Sequence, residues 1–212
     1  MKLDVLAFGV HPDDVELSCA GVLLQEKKNG KKTGIIDLTQ GELGTRGTAE
    51  TRANEAEKAA AILKIDIREN LQMQDGFLQN DKVHQLKIIE TLRKYQPEII
   101  LCNAPQDRHP DHGRSARLVS DAAFLSGLMK IETSLNGIVQ QPWRPKYVFN
   151  YIQDRFLQPH FVVDITEVFE TKLESIKAYA TQFHNPGVEG PQTYISTPDF
   201  LDSIIYRAKM LG

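Results

Sequence analysis

The sequence predicts an α/β protein: a Rossmann-like three-layer sandwich with a mostly parallel sheet of strand order 3-2-1-4-5 plus C-terminal additions. Short β-branched apolar runs alternate with longer stretches of helical period, which is the pattern of βαβ units. Because βαβ crossings are right-handed, three strands are laid down in one direction before the chain returns to the free edge of the first strand. The 212 residues contain no low-complexity linker, so we expect a single domain over residues 1–212.

Four strand–helix pairs are predicted in the first part of the chain. The first strand is a buried apolar run, and short strands then alternate with longer stretches of helical period. Asn29-Gly30 stops the first helix and Pro97 ends the third, since glycine favours a helix C-terminus and proline cannot continue a helix. The pairs, strand before helix, are 3–10 with 14–28, 33–39 with 48–63, 67–73 with 81–95, and 98–103 with about 111–129.

The rest of the chain adds two predicted strands and two predicted helices. Two stretches without regular period, 40–48 and 182–197, have the length of functional loops. The added elements are strands over 147–152 and 161–165 and helices over 167–183 and 198–211.

The composition argues against some classes of binding partner and indicates the cellular compartment. With 25 Lys+Arg against 28 Asp+Glu the net charge is −3, which gives no general attraction to nucleic acid or anionic lipid, so neither is an expected partner. No run approaches the ~18 apolar residues of a membrane helix. Met1-Lys2-Leu3-Asp4 lacks the pattern of a signal peptide, which predicts a soluble cytoplasmic protein. Cys19 and Cys102 both lie in apolar segments and are expected to be buried thiols.

A similar tetrapeptide occurs twice, as His11-Pro12-Asp13-Asp14 and His109-Pro110-Asp111-His112. Each follows a strand and opens a helix. The proline forces the preceding histidine into extended backbone and suits a first helical turn. Ligands of open α/β sheets bind where strand order reverses, at the carboxyl ends of strands one and four. We therefore expect both tetrapeptides to face one crevice.

Six ionisable side chains in one crevice need a compensating cation or a reaction that uses them. Two histidines and one carboxylate with an open position are typical of catalytic zinc, and the same donors suit Fe²⁺ or another divalent metal. The competing interpretation is that each Pro-Asp pair only caps a helix. Two such motifs at the point where the strand order reverses favour a shared metal or catalytic site over two independent helix caps. The six side chains are those of His11, Asp13, Asp14, His109, Asp111 and His112.

Three segments of the sequence together resemble a known family. Residues 9–14 (GVHPDD), the loop 39–47 (TQGELGTRG) and Pro110-Asp111-His112 together resemble the PIG-L/LmbE-like family of zinc-dependent N-acetylglucosaminyl deacetylases. The run 107–113 and the tail 184–186 are most similar to the bacillithiol branch, which removes acetate from N-acetylglucosaminyl-malate. The resemblance implies a small N-acetylglucosaminyl conjugate as substrate and a homo-oligomer, with a hexamer as one possibility.

The resemblance also implies a role for each polar residue of the first motif. His11 and Asp14 are implied as zinc ligands together with His112 of the second motif. Asp13 is implied as the general base, and its carboxylate would take a proton from a water that the metal makes more acidic.

The second motif is implied to supply the second catalytic group, His109. A protonated His109 would stabilise the tetrahedral oxyanion and then protonate the departing amine. Asp111 is implied as the partner that orients or charges His109.

Three residues outside the tetrapeptides are implied or suggested as substrate contacts. The family has a substrate-contacting arginine at the position of Arg52; a surface ion pair with Glu55 or Glu57 is the alternative. Arg46 is a weaker candidate of the same kind. Tyr194, in the loop 182–197, is a candidate lid residue that donates to the carbonyl oxygen.

Two other functions fit the same residues. A metal-dependent phosphoesterase, or another metal-dependent hydrolase, could use the same ligands if the crevice supplied donors for phosphate. A non-catalytic sugar-binding protein would have no need of Asp13 and His109. The basic residues predicted near the crevice are Arg46, Arg52, Arg108 and Arg114.

Overall fold

The computed structural model describes residues 1–211. Its centre is a sheet of five strands, every pair of which is parallel. The order β3-β2-β1-β4-β7 confirms the predicted 3-2-1-4-5, because the strand numbered seven here is the fifth of the main sheet. A separate hairpin, formed by β5 and β6, lies between β4 and β7 in the sequence. The strands are β1 (Val5–Gly9), β2 (Thr33–Thr39), β3 (Ile67–Met73), β4 (Ile99–Cys102), β5 (Ser134–Leu135), β6 (Ile138–Val139) and β7 (Tyr147–Asn150).

Helices cover both faces of the sheet, which confirms the three-layer prediction. Alternate residues of β1 point to opposite faces, as a period of two requires. Leu6 and Phe8 join the core under α4 and α5, whereas Val5 and Ala7 join the core under α1 and α2. The helices are α1 (Asp14–Ser18), α2 (Ala20–Lys28), α3 (Ala49–Leu63), α4 (Lys82–Tyr95), α5 (Pro110–Leu125), α6 (Phe169–Lys177) and α7 (Pro198–Leu211), with short 3₁₀ turns at Thr166–Val168 and Tyr194–Ser196.

The predicted helix over 14–28 is wrong in one respect, since it is two helices that meet at Cys19. The buried Lys172 on α6 explains the break. Its ammonium donates to the carbonyl oxygens of Leu17 and Ser18, each at 2.9 Å, and so satisfies carbonyls at the end of α1. A cation at a helix C-terminus is favourable, so α1 ends here and α2 starts anew.

The predicted strand over 161–165 does not form. This segment instead crosses to α2, where Gln25 donates to the carbonyl of Asp164 and Ile165 packs on Gly21. A Cβ at Gly21 would lie 2.7 Å from the Ile165 side chain, so glycine permits the close approach. The helix predicted over 167–183 is also shorter, and α6 ends at Lys177.

The sheet places the two tetrapeptides side by side. β1 and β4 are hydrogen-bonded neighbours, with Val5 opposite Ile99, and the tetrapeptides follow their carboxyl ends. The prediction that both motifs face one crevice is therefore confirmed. Within residues 1–211, no helix has the length and apolar character needed to cross a bilayer.

Candidate active site

Three histidines from the two tetrapeptides form the centre of the site. The ring centroids of His11 and His109 are 4.6 Å apart, and that of His112 lies 5.5 Å from His11 and 5.3 Å from His109. One nitrogen from each ring lies within 4.8 Å of the others, so the group could hold a metal ion. The cleft around it has a volume of about 1650 Å³.

The two tetrapeptides start their helices differently. Pro110 is the first residue of α5, and His109 before it is extended (φ −84°, ψ 130°), as the proline predicts. In the first motif the helix starts two residues later, at Asp14, and Asp13 has φ 127° and ψ −24°. A positive φ is a strained conformation for a residue other than glycine, and such residues concentrate at functional sites.

Asp14 lies between the histidines, deeply buried. Its Oδ2 accepts the backbone N–H groups of Val10 (2.9 Å) and His11 (3.0 Å), and its Oδ1 accepts an N–H of Gln153 at 2.6 Å. Burial alone would raise the pKa of this carboxyl, but the neighbouring His112 and His11 hold it well below its usual range. Asp14 is therefore a permanent anion at the centre of the cluster.

The atoms that face Asp14 fit a divalent cation. His112 Nε2 lies 3.3 Å from Asp14 Oδ1, and His11 Nδ1 lies 3.7 Å from Asp14 Oδ2. His112 Nε2 is buried and has no hydrogen-bond partner among residues 1–211. A buried nitrogen left unpaired beside a carboxylate is a site that a metal ion would complete. The donor set of two imidazoles and one carboxylate therefore suits a catalytic metal, with His109 as a further nitrogen nearby.

Asp13 is held by Arg52. The Nη2 of Arg52 donates to Asp13 Oδ2 at 2.9 Å and to the carbonyl of Pro12 at 2.6 Å. Burial raises the pKa of Asp13 to about 7, even though the Arg52 charge opposes this increase. A carboxylate with a pKa in this range is a stronger base than an exposed aspartate.

The alternative of a surface ion pair for Arg52 is wrong. Arg52 is buried, and the carboxylate of Glu55 instead accepts from the backbone N–H and hydroxyl of Thr181. Arg52 thus contacts Asp13, with Nη1 also donating to the carbonyl of Gly41 at 3.3 Å. A Cβ at Gly41 would collide with this guanidinium, and Gly41 also has φ +65°, so glycine is required twice over.

The structure corrects the expected partnership of Asp111 with His109. The backbone N–H of Asp111 donates to His109 Nδ1 at 3.3 Å, whereas the Asp111 carboxylate pairs with Arg114 at 2.7 Å. Burial, together with the charges of His11 and His112, lowers the pKa of His109 to about 4. A neutral His109 that accepts at Nδ1 carries its proton on Nε2. The neutral ring is therefore a hydrogen-bond donor in the cleft, and the expected catalytic role of His109 stays a prediction.

Arg46 and Tyr194 line the same cleft. All three nitrogens of Arg46 donate to backbone carbonyls, namely those of Thr181, Val188 and Pro191. Arg46 thus links the loop 40–48 to Thr181 and to the loop 182–197, and its expected contact with substrate stays a prediction. Tyr194 is 58% exposed, and its hydroxyl donates to Asp154 at 3.2 Å.

A model of the family described as GlcNAc-PI de-N-acetylase (PIG-L) matches residues 6–123 of this chain. The chain belongs to the PIG-L family. The match spans both tetrapeptides, and the family places the chain among N-deacetylases that act on GlcNAc-containing substrates. The prediction of this family from its motifs is confirmed.

Three similar proteins agree with the PIG-L assignment. A diacetylchitobiose deacetylase of Thermococcus kodakarensis is 27% identical over 98% of this chain and 79% of its own length. A probable N-acetyl-α-D-glucosaminyl L-malate deacetylase 2 of Bacillus anthracis is 24% identical over 90% of this chain and 86% of its own length. A conserved protein of Thermus thermophilus, known from a crystal structure, is 34% identical over 99% of this chain and 90% of its own, with a TM-score of 0.85.

Two buried carboxylates of this PIG-L chain escaped the sequence prediction. Asp75 follows the carboxyl end of β3 and bonds to His11, and Asp107 follows β4 and bonds to His112. Their position was the available signal, because ligands and their supports collect at the carboxyl ends of parallel strands.

Metal binding to this PIG-L site is expected to release protons. Although burial favours the neutral ring, Asp14 and Asp75 raise the pKa of His11 to about 9, and Asp14 and Asp107 raise that of His112 to about 10. Both rings are therefore protonated near pH 7 in the metal-free protein, and a metal must displace about two protons. Titration calorimetry in buffers of different ionisation enthalpy measures this number. Uptake of metal without proton release would contradict the assigned ligands.

Proposed function

We propose that this protein is a zinc-dependent N-deacetylase that removes the acetyl group of N-acetylglucosaminyl-malate. The observation that carries the proposal is the Asp13 carboxylate, fixed by Arg52 next to Asp14, which His11 and His112 flank at 3.7 and 3.3 Å. Two imidazoles and one carboxylate with an open position favour zinc, while Fe²⁺ or another divalent metal would fit the same donors.

The metal supplies Lewis acidity: when bound, it polarises the amide carbonyl and lowers the pKa of a water molecule. Asp13 accepts the proton of the attacking water, and its pKa of about 7 lets it pass that proton on to the departing amine. His109 donates its Nε2–H to the carbonyl oxygen as negative charge develops there. Arg52 keeps Asp13 in place throughout.

The rim of the cleft supports an anionic aglycone. The side chain of Arg108 is 49% exposed and lies over the ring of Tyr194, at 4.8 Å from its centroid. Arg207, which also lines the cleft, donates from Nη2 to the carbonyl of Asp154. Two guanidinium groups and a phenol at one rim suit the carboxylates of malate. We propose Arg108 and Tyr194 as substrate contacts, together with the Arg52 side chain at the floor.

A phosphoesterase is less well supported by these contacts. Arg46 donates to three backbone carbonyls and Arg52 to Asp13 and to two carbonyls. A phosphoesterase would need several arginine donors at the histidine cluster, whereas the other arginines that line the cleft, Arg108 and Arg207, lie at its rim. The retained base at Asp13 likewise counts against a protein that only binds sugar.

The test is release of acetate by the zinc-loaded protein, with zinc content measured on the same sample. N-acetylglucosaminyl-malate is expected to be cleaved with a higher kcat/KM than diacetylchitobiose, and a chelator is expected to abolish both reactions. Faster cleavage of diacetylchitobiose would overturn the malate assignment. Hydrolysis of phosphate esters without release of acetate would overturn the deacetylase.

The proposal includes a cytoplasmic, single-domain enzyme that works as a homo-oligomer, hexameric as one possibility, without nucleic acid or membrane partners. Apolar side chains at the surface support the assembly: Phe156 is 60%, Phe161 60% and Val162 55% exposed. Self-association would cover such side chains.

A further inference from the structure

The two histidines that flank Asp14 present different nitrogens to it. His11 directs Nε2 at Asp75 Oδ1, 2.9 Å away, which leaves Nδ1 towards Asp14. His112 directs Nδ1 at Asp107 Oδ2, 2.7 Å away, which leaves Nε2 towards Asp14. The outer partner of each ring is thus a carboxylate, and the two rings are used in opposite senses.

A carboxylate partner decides which nitrogen of a neutral imidazole carries the proton. Because an ionised carboxylate only accepts hydrogen bonds, the nitrogen that faces it must be the N–H, and the other nitrogen keeps its lone pair for a metal. Asp75 and Asp107 each also accept backbone N–H groups, so both side chains act as hydrogen-bond acceptors at these positions.

Asp75 is itself held in place on its second oxygen. Its Oδ2 accepts the backbone N–H of Leu43 at 3.0 Å, and its own backbone N–H donates to Glu42 Oε1 at 2.8 Å. The side chain is 5% exposed, so water does not compete for these contacts. Asp75 therefore joins His11 to the loop 40–48 at the mouth of the cleft.

Asp107 is built in the same way. Its Oδ1 accepts the backbone N–H groups of Asp154 (3.2 Å) and Arg155 (2.9 Å), while Oδ2 bonds to His112. In both cases one carboxylate oxygen is anchored to backbone and the other orients a ring.

We propose that Asp75 and Asp107 are positioning residues that select Nδ1 of His11 and Nε2 of His112 as the nitrogens offered to a divalent cation. This inference rests on the metal site of the proposed function and adds the two side chains that fix its donor atoms. Because Asp75 bonds to both Leu43 and His11, displacement of the loop that carries Leu43 would turn the His11 ring and weaken the same metal site.

The first test needs no variant. In the zinc-loaded wild-type protein, long-range ¹H–¹⁵N correlation spectra of the histidine rings are expected to show zinc on Nδ1 of His11 and on Nε2 of His112. Zinc on Nε2 of His11 would overturn the inference, whatever the protein's activity.

The second test measures zinc affinity by competition with a chelator. Asp75→Ala and Asp107→Ala are each expected to weaken zinc binding by about 10- to 100-fold, the usual effect of removing such a partner. The matched control is Asp81→Ala, which removes the same kind of pair, His84 Nδ1 to Asp81 Oδ1 at 2.7 Å, at the start of α4. The control is expected to bind zinc as tightly as the wild type.

The outcomes separate this inference from the proposed function. Wild-type zinc affinity in a folded Asp75→Ala protein would overturn the role of Asp75. A protein with the expected ring spectra and affinities that releases no acetate from any N-acetylglucosaminide would overturn the proposed function and support the positioning role.

Discussion

Asp13→Asn is expected to keep the bound zinc and to lower kcat by about 10² to 10⁴-fold, the usual contribution of a general base. The asparagine has nearly the same shape and its amide oxygen can still accept from Arg52, so the strained turn and the ligand Asp14 stay in place. What is lost is the ability to take a proton from water. The measurement is steady-state acetate release together with zinc content for wild type and variant.

Wild-type activity should also depend on pH in a way the variant does not share. Asp13 must be ionised to accept a proton, and burial raises its pKa to about 7. The value of kcat/KM is therefore expected to fall as the pH drops through this pKa, which a bound cation would lower. The residual activity of Asp13→Asn should lack this acidic limb. Asp121→Asn, at a surface ion pair with Arg117, is the control. Loss of zinc from Asp13→Asn would show that Asp13 is a metal ligand. Wild-type turnover of this variant would exclude Asp13 as the general base.

Arg68→Met is expected to lower the free energy of unfolding by about 3–5 kcal/mol, because it removes the cation between two buried carboxylates. Arg68 donates through Nε and Nη2 to both oxygens of Asp37, at 2.8 and 2.9 Å, and through Nη1 to Glu16. Tyr179 adds a hydrogen bond to the same Glu16 oxygen at 3.1 Å. Without the guanidinium, two carboxylates remain in a site that excludes water.

Urea unfolding of wild type and Arg68→Met at several pH values tests this expectation. The difference in unfolding free energy should shrink as the pH falls, because burial raises the pKa of Asp37 and protonation removes its unpaired charge. Arg117→Ala, whose exposed side chain pairs with Asp121 on one helix face, is expected to cost less than about 1 kcal/mol. Equal losses for the buried and exposed arginines would refute the argument from burial.

Local pattern was sufficient for most of the sheet and for the place of the site. The structure buries β1 and β2 completely, and their order agrees with the crossing rule. The positions of His11 and His109 could be predicted from the prolines that follow them in the sequence and from the ends of the two neighbouring strands.

Long-range contacts explain what the sequence pattern missed. The break at Cys19 depends on Lys172, which is remote in sequence. Residues 161–165 have the composition of a strand, but Gly21 offers Ile165 a close packing site on α2 instead. Arg46 resembled a free binding arginine because its carbonyl partners belong to a loop about 140 residues away, and their orientation cannot be deduced from residue types.

The backbone of Asp13 has a bearing on how such a protein can evolve. A non-glycine residue at φ 127° costs on the order of 1–3 kcal/mol, and the contacts of Arg52 hold the chain in that state. Glycine here would relieve that strain, but it would leave the buried Arg52 guanidinium without its carboxylate partner, which costs about 3–5 kcal/mol. Because the strained backbone and the buried ion pair cannot be changed separately, thermal adaptation is expected to come from residues remote from this turn.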